Sequence, residues 1–119
     1  MTLRLLHLRG LIETARLDLS TEKATQADIE ALFTARLQPG SIIREARLSA
    51  ADIPDFLVGD VVVEVKIGGS AAEILRQLDR YAQHDRVGSL LLVTNVPMRL
   101  PQAIRGKPAA VARLGVSWI

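Results

Sequence analysis

The stretch that most constrains this chain is residues 53–67, Ile-Pro-Asp-Phe-Leu-Val-Gly-Asp-Val-Val-Val-Glu-Val-Lys-Ile, which reads as two strands joined by a two-residue turn. Val58-Gly59-Asp60-Val61 sets a glycine between β-branched flanks, and glycine supplies the positive φ that a tight hairpin turn demands. The turn dictates the pairing. Val58 faces Val61, Leu57 faces Val62, Phe56 faces Val63, and Asp55 falls opposite Glu64. Directly opposed residues have Cβ atoms roughly 4.5–5.5 Å apart, and the period of two adds Lys66 to the same face. Asp60 shares the parity of Glu64 but sits in the turn, about 13 Å away along the strand.

Three charges on one face of an apolar hairpin need an explanation. Opposed carboxylates repel, so Asp55 and Glu64 destabilise the sheet unless something positive lies between them. A divalent metal meets that need: Mg²⁺ binds through one or two carboxylates while keeping waters and substrate phosphate oxygens. Lys66 then lies near an attacking water or the phosphate.

Pro54-Asp55, an eight-residue spacer and Glu64-Val65-Lys66 resemble the signature of the PD-(D/E)xK, or restriction-endonuclease-like, nucleases. Eleven residues beyond Lys66, Gln77 and Tyr81 resemble the QxxxY element on the following helix in the exonuclease branch of that superfamily. The resemblance covers about residues 25–95. It implies a restriction-endonuclease-like α/β core, a mixed central sheet flanked by helices in the order α-β-β-β-α-β. It further implies that Asp55 and Glu64 bind Mg²⁺ or Mn²⁺ with help from the Val65 carbonyl, and that Lys66 positions or activates the water. Gln77 and Tyr81 would orient that water or hold a phosphate beside the metal. Often in this family a Glu from the helix before the first core strand completes the metal site. Glu30 is the candidate, with a solvated helix glutamate as the plain alternative and Glu45 as a rival.

The implied activity is hydrolysis of DNA phosphodiester bonds, in replication, recombination or repair. Junction resolvases of this superfamily are similarly small and dimeric, so a homodimer and branched DNA follow by analogy. A nuclease subunit dependent on a helicase or replication partner, or a non-catalytic DNA-binding module of the same fold, is the alternative. Arg47, Arg76 and Arg80 are candidate phosphate contacts; as exposed cations they need no function at all.

Composition suits these readings. At 119 residues the chain holds one domain with a real core, and aromatics are only 3%, so that core is aliphatic. The absence of Cys excludes a disulfide scaffold and a thiolate zinc site and accords with a cytoplasmic setting. No apolar run approaches the roughly 20 residues that span a bilayer, and no signal-peptide pattern opens the chain. Net charge is +2 with a pI near 9.5; most of the 15 cations are Arg, which suits phosphate forks better than Lys.

In chain order, residues 1–24 read as an extended arm with a break near Gly10, a Leu- and Arg-rich helix being the alternative. His7 reads as a half-buried side chain, and His7 and His84 have no metal-ligand spacing. Thr25 caps a helix with Ile29, Leu32, Phe33 and Leu37 as its stripe, ending at Pro39-Gly40. Residues 42–48 form the first core strand, and the hairpin follows. Ser70 and Glu73 make a capping box for a helix burying Ile74, Leu75, Leu78 and Ala82. Residues 89–94 are a continuous apolar run, hence a buried central strand parallel to the hairpin's second strand or its neighbour. Residues 96–119 are a proline-punctuated loop, where Gly106-Lys107 offers a phosphate contact, and a last edge strand.

Overall fold

Ser-Leu-Leu-Leu-Val-Thr offers water no polar face, and the fold leaves it none: β4 (Ser89–Thr94) is buried along its whole length at the middle of a six-stranded sheet. The computed structural model describes residues 2–115. Within them the order is α1 (Leu3–Glu13), α2 (Glu22–Arg36), β1 (Ile42–Arg44), β2 (Phe56–Val58), β3 (Val61–Lys66), α3 (Ala71–Ala82), β4, β5 (Ala103–Ile104) and β6 (Lys107–Arg113). The strands lie β1-β2-β3-β4-β6-β5. The sheet is mixed: β1, β2 and β3 are antiparallel neighbours, β3, β4 and β6 run parallel, and β5 returns antiparallel. This is a compact α/β fold, and no helix among the described residues is long and apolar enough to cross a membrane.

Alternation along the strands splits the core into two layers. Val61, Val63 and Val65, with Phe56, Leu91 and Val93, pack under α1 and α2 around Leu5, Leu8, Ile12, Ile29 and Phe33. Leu57, Val62, Leu90 and Leu92 face the other way, toward Ile74, Leu78 and Tyr81 of α3. The hairpin pairs Val58 with Val61, Leu57 with Val62 and Phe56 with Val63, as the Gly59-Asp60 turn requires, with Gly59 at φ 63°. Ser70 caps α3, its side chain accepting from the Glu73 N–H.

Six sequence expectations are corrected. The N-terminal segment is not an extended arm. Leu5, Leu8 and Ile12, spaced three and four apart, form one buried helical stripe in α1, and its packing on the sheet outweighs the cost of roughly 1 kcal/mol for Gly10 inside a helix; His7 on that helix is exposed. The next helix starts earlier, at Glu22. Thr21 is its cap, whereas the Thr25 hydroxyl is buried and donates to the carbonyls of Asp18 and Thr21. The first core strand stops at Arg44 instead of running to Leu48, because Glu45 adopts φ 49° and leaves the pleat. The last strand, β6, lies between β4 and β5 and is not at the edge; the part of the expected strand at residues 116–119 lies outside the described residues. Leu75, expected in the core, is 38% exposed.

Glu45 is exposed and bent into the left-handed region that glycine enters without steric cost. Glu45→Gly is expected to raise stability by up to about 1 kcal/mol, the left-handed penalty relieved less the added entropy of an unfolded glycine. Urea denaturation of the two proteins checks this, and a loss of stability would mean that the Glu45 side chain makes a needed contact.

Candidate functional site

Where the β2–β3 ladder ends, the two carboxylates continue it with their side chains. The Asp55 N–H donates to Glu64 Oε1 at 3.1 Å, and the Val65 N–H donates to Asp55 Oδ2 at 2.7 Å. The Asp55 carbonyl meanwhile accepts from the Glu45 N–H at 2.9 Å. Each acid is therefore held by the opposite strand, on the sheet face that α3 covers. Lys66 Nζ lies 3.4 Å from Glu64 Oε2, and the Tyr81 hydroxyl, 3.4 Å from Glu64 Oε1, donates to it. Asp55 Oδ1 has no protein partner among the described residues.

Glu64 is 3% exposed. Burial and then the Asp55 charge push its carboxyl up to about 7, against the pull of Lys66. Asp55 is pushed up too, by burial first and by the nearby Glu22 charge, while the Val65 N–H and Lys66 oppose the rise. Burial and the two acids also push the Tyr81 phenol up, which keeps it protonated and a donor. Arg44 adds a nearby positive charge that favours ionised Asp55; its guanidinium stacks 4.9 Å from the centre of the Phe56 ring.

Beside this group opens a cleft of about 390 Å³, lined by Glu22, Lys66, residues 67–70, Glu73, Ile74, Gln77 and Arg80. Gln77 thus joins Lys66 in the cleft, while Tyr81, one turn further along α3, reaches under it to Glu64. Glu22 is the acid that α2 contributes. It stands in the first turn of α2, where the helix dipole favours an anion, and its Oε1 accepts from the Ile67 N–H at 3.0 Å. Glu30, the residue expected from sequence, is eight positions down the helix, about 12 Å away. It lines a separate depression with Thr34, Gln38 and Arg44. The sequence signal for Glu22 was present in Thr21-Glu22, a cap followed by an acid, and was masked by starting the helix at Thr25.

The strand end that carries Lys66 is braced from β4. Thr94 Oγ1 donates to the Lys66 carbonyl at 2.7 Å, and Asn95 Oδ1 accepts from the Gly68 N–H at 2.9 Å. Nothing in the residue pattern pointed to these two. Arg80 reaches the cleft; Arg76 lines the outer side of α3 with Leu75 and Asp79, and Arg47 is exposed in the loop after β1. Asp60 is in the turn, 3.9 Å from Arg4 and apart from the acids.

The donors suit a hard divalent cation: carboxylate oxygens, buried together, with a mutual repulsion that a cation relieves. No group of three or more His, Cys, Asp or Glu is close enough to form a full protein cage among the described residues. No protein-family model, curated protein or solved structure matches the chain.

Glu64 binds its proton more tightly folded than unfolded, where the ordinary value is 4.5. Its contribution to stability is therefore complete below about pH 4.5 and lost as pH rises through about 7. Metal-free protein is expected to lose on the order of 1–3 kcal/mol across that window. Glu64→Gln should flatten the slope and stabilise the protein at pH 8. Denaturation midpoints at a series of pH values with chelator present test this; an unchanged slope in the variant would remove Glu64 as the source.

Proposed function

We propose that this chain is a metal-dependent deoxyribonuclease with a restriction-endonuclease-like core, hydrolysing phosphodiester bonds in DNA. The observation that carries the reading is the convergence of Asp55, Glu64 and Lys66 on one sheet face, beside a cleft that Glu22, Gln77 and Arg80 line. Asp55, Glu64 and the Val65 carbonyl are the oxygens that would hold Mg²⁺ or Mn²⁺, and Glu22 adds a negative charge at the mouth of the same cleft. When bound, such an ion polarises a phosphoryl oxygen and lowers the pKa of a water.

The chain's own groups do the rest. Lys66, half-buried and within ion-pair distance of Glu64, presents an ammonium to negative charge developing on the phosphate. Tyr81 holds the Glu64 carboxylate in one orientation. Gln77 offers the cleft an amide that can donate to a phosphate oxygen and accept from a water. Hydrolysis adds the water's oxygen to phosphorus and expels one ester oxygen, which takes up a proton. The N-termini of α2 and α3 both open at this end of the sheet, where their dipoles favour a polyanion.

The test is cleavage of linear duplex, circular single-stranded and four-way-junction DNA with Mg²⁺, Mn²⁺ or chelator. Asp55→Ala and Glu64→Ala should each lower the rate on the order of 10²-fold or more, and Glu22→Gln by a smaller factor. Asp60→Asn and Glu30→Gln, both away from the cleft, should cut within about threefold of the parent protein. Undiminished cleavage by Asp55→Ala or Glu64→Ala would overturn the assignment.

For Lys66 the point-charge role predicts that Lys66→Arg is slow although still cationic, because the planar, longer guanidinium misplaces the charge. The cost expected is on the order of 10²-fold in rate with little change in DNA affinity. Rate and affinity measured together decide it: wild-type cleavage would leave Lys66 as a charge balancer only.

A further inference from the structure

The loop between β1 and β2, which delivers Asp55, is tied to the C-terminal end of α3 by one carboxylate. Asp52 is largely buried. Its Oδ1 accepts from Arg80 Nε at 3.1 Å, and its Oδ2 lies 2.8 Å from His84 Nε2. Its main chain is fastened as well. The Asp52 carbonyl accepts from the N–H groups of Leu48 and Ser49, and its N–H donates to Ser49 Oγ. His84 is anchored in turn, its carbonyl accepting from Lys107 Nζ at 2.6 Å.

The consequence falls on Arg80. Asp52 engages only its Nε, and neither Nη nitrogen has a protein partner among the described residues. The side chain is about half exposed and lines the cleft with Lys66 and Gln77. A guanidinium gripped by Nε and open at both Nη groups is a fork presented to a planar pair of oxygens, the geometry in which Arg binds phosphate.

Resting on the nuclease reading, we infer that Asp52 and His84 are positioning residues that aim Arg80 at a backbone phosphate of the bound DNA. His84 keeps the Asp52 carboxylate from turning away, and Asp52 fixes the plane of the guanidinium. The His84 hydrogen bond is also the main reason the Asp52 carboxyl lies below its ordinary range, so it remains an anion and an acceptor. A carboxylate beside DNA opposes binding by its charge, and this one is useful only if orientation outweighs that repulsion.

That conflict of signs makes the proposal testable. Asn keeps an oxygen for Arg80 Nε and an amide for His84 while removing the charge; Ala removes all three. Cleavage of linear duplex DNA at saturating DNA is measured for Asp52→Ala, Asp52→Asn, Arg80→Ala and the double variant Asp52→Ala/Arg80→Ala, with DNA affinity and thermal midpoint for each. Asp52→Ala is expected to slow cleavage about tenfold, the worth of one charge-assisted hydrogen bond, with affinity level or higher. Asp52→Asn should recover most of the rate, and Asp52→Ala should add nothing once Arg80 is Ala.

Three results would overturn the inference: a wild-type rate in Asp52→Ala, no recovery in Asp52→Asn, or the same further loss in the Arg80→Ala background. A parent protein that cuts no DNA with either metal would remove the nuclease reading, and this inference with it. The two failures are therefore distinct.

Discussion

Two carboxylates sharing one low-dielectric face set the terms for the rest of this structure. Asp55 and Glu64 repel each other and lose hydration on burial, yet both are fastened by backbone N–H groups of the opposite strand. A buried charge is tolerated only when hydrogen-bonded or paired, and here Lys66, Tyr81 and two main-chain donors share that duty. The arrangement is satisfied enough to fold, while the repulsion between the two acids remains. The raised proton affinities of both acids express this same frustration.

The fold concentrates its polar resources at one end. The parallel strands β3 and β4 finish together, with Lys66 beside Thr94, and α2 and α3 begin there. Glu22 from one helix and Gln77 and Arg80 from the other therefore meet over the same strand ends. The opposite end carries the Gly59-Asp60 turn and is closed by Asp60, whose carbonyl accepts from the Gly88 N–H at 2.8 Å. Asp60 and Glu64 share a strand and a parity but belong to different ends of the molecule.

Much of this was legible in residue order because local rules decided it. A two-residue turn with one glycine sets a hairpin register without reference to the rest of the chain, and that register alone places Asp55 against Glu64. Capping chemistry marked the start of α3 at Ser70, and an apolar run bounded by turn residues marked β4. Where local rules were ambiguous, the reading failed. The N-terminal leucines satisfy an imperfect alternation as well as a helical stripe, and only a sheet surface waiting to be covered selects the helix. Glu45 leaves its strand although its neighbours alternate, and no propensity announces that.

The sequence by itself determined which acids would be neighbours, the face they share, and the lysine beside them, since each follows from the period of two and one turn. Tertiary structure alone decided which helix glutamate lines the cleft beside them, because a four-residue shift in the start of α2 moves the choice from the middle of that helix to its first turn. It alone brought Asp52 of a loop to Arg80 of α3 and to His84 of the turn that follows it, 28 and 32 positions later. Contacts between residues so far apart arise from how layers pack, and packing depends on every element at once.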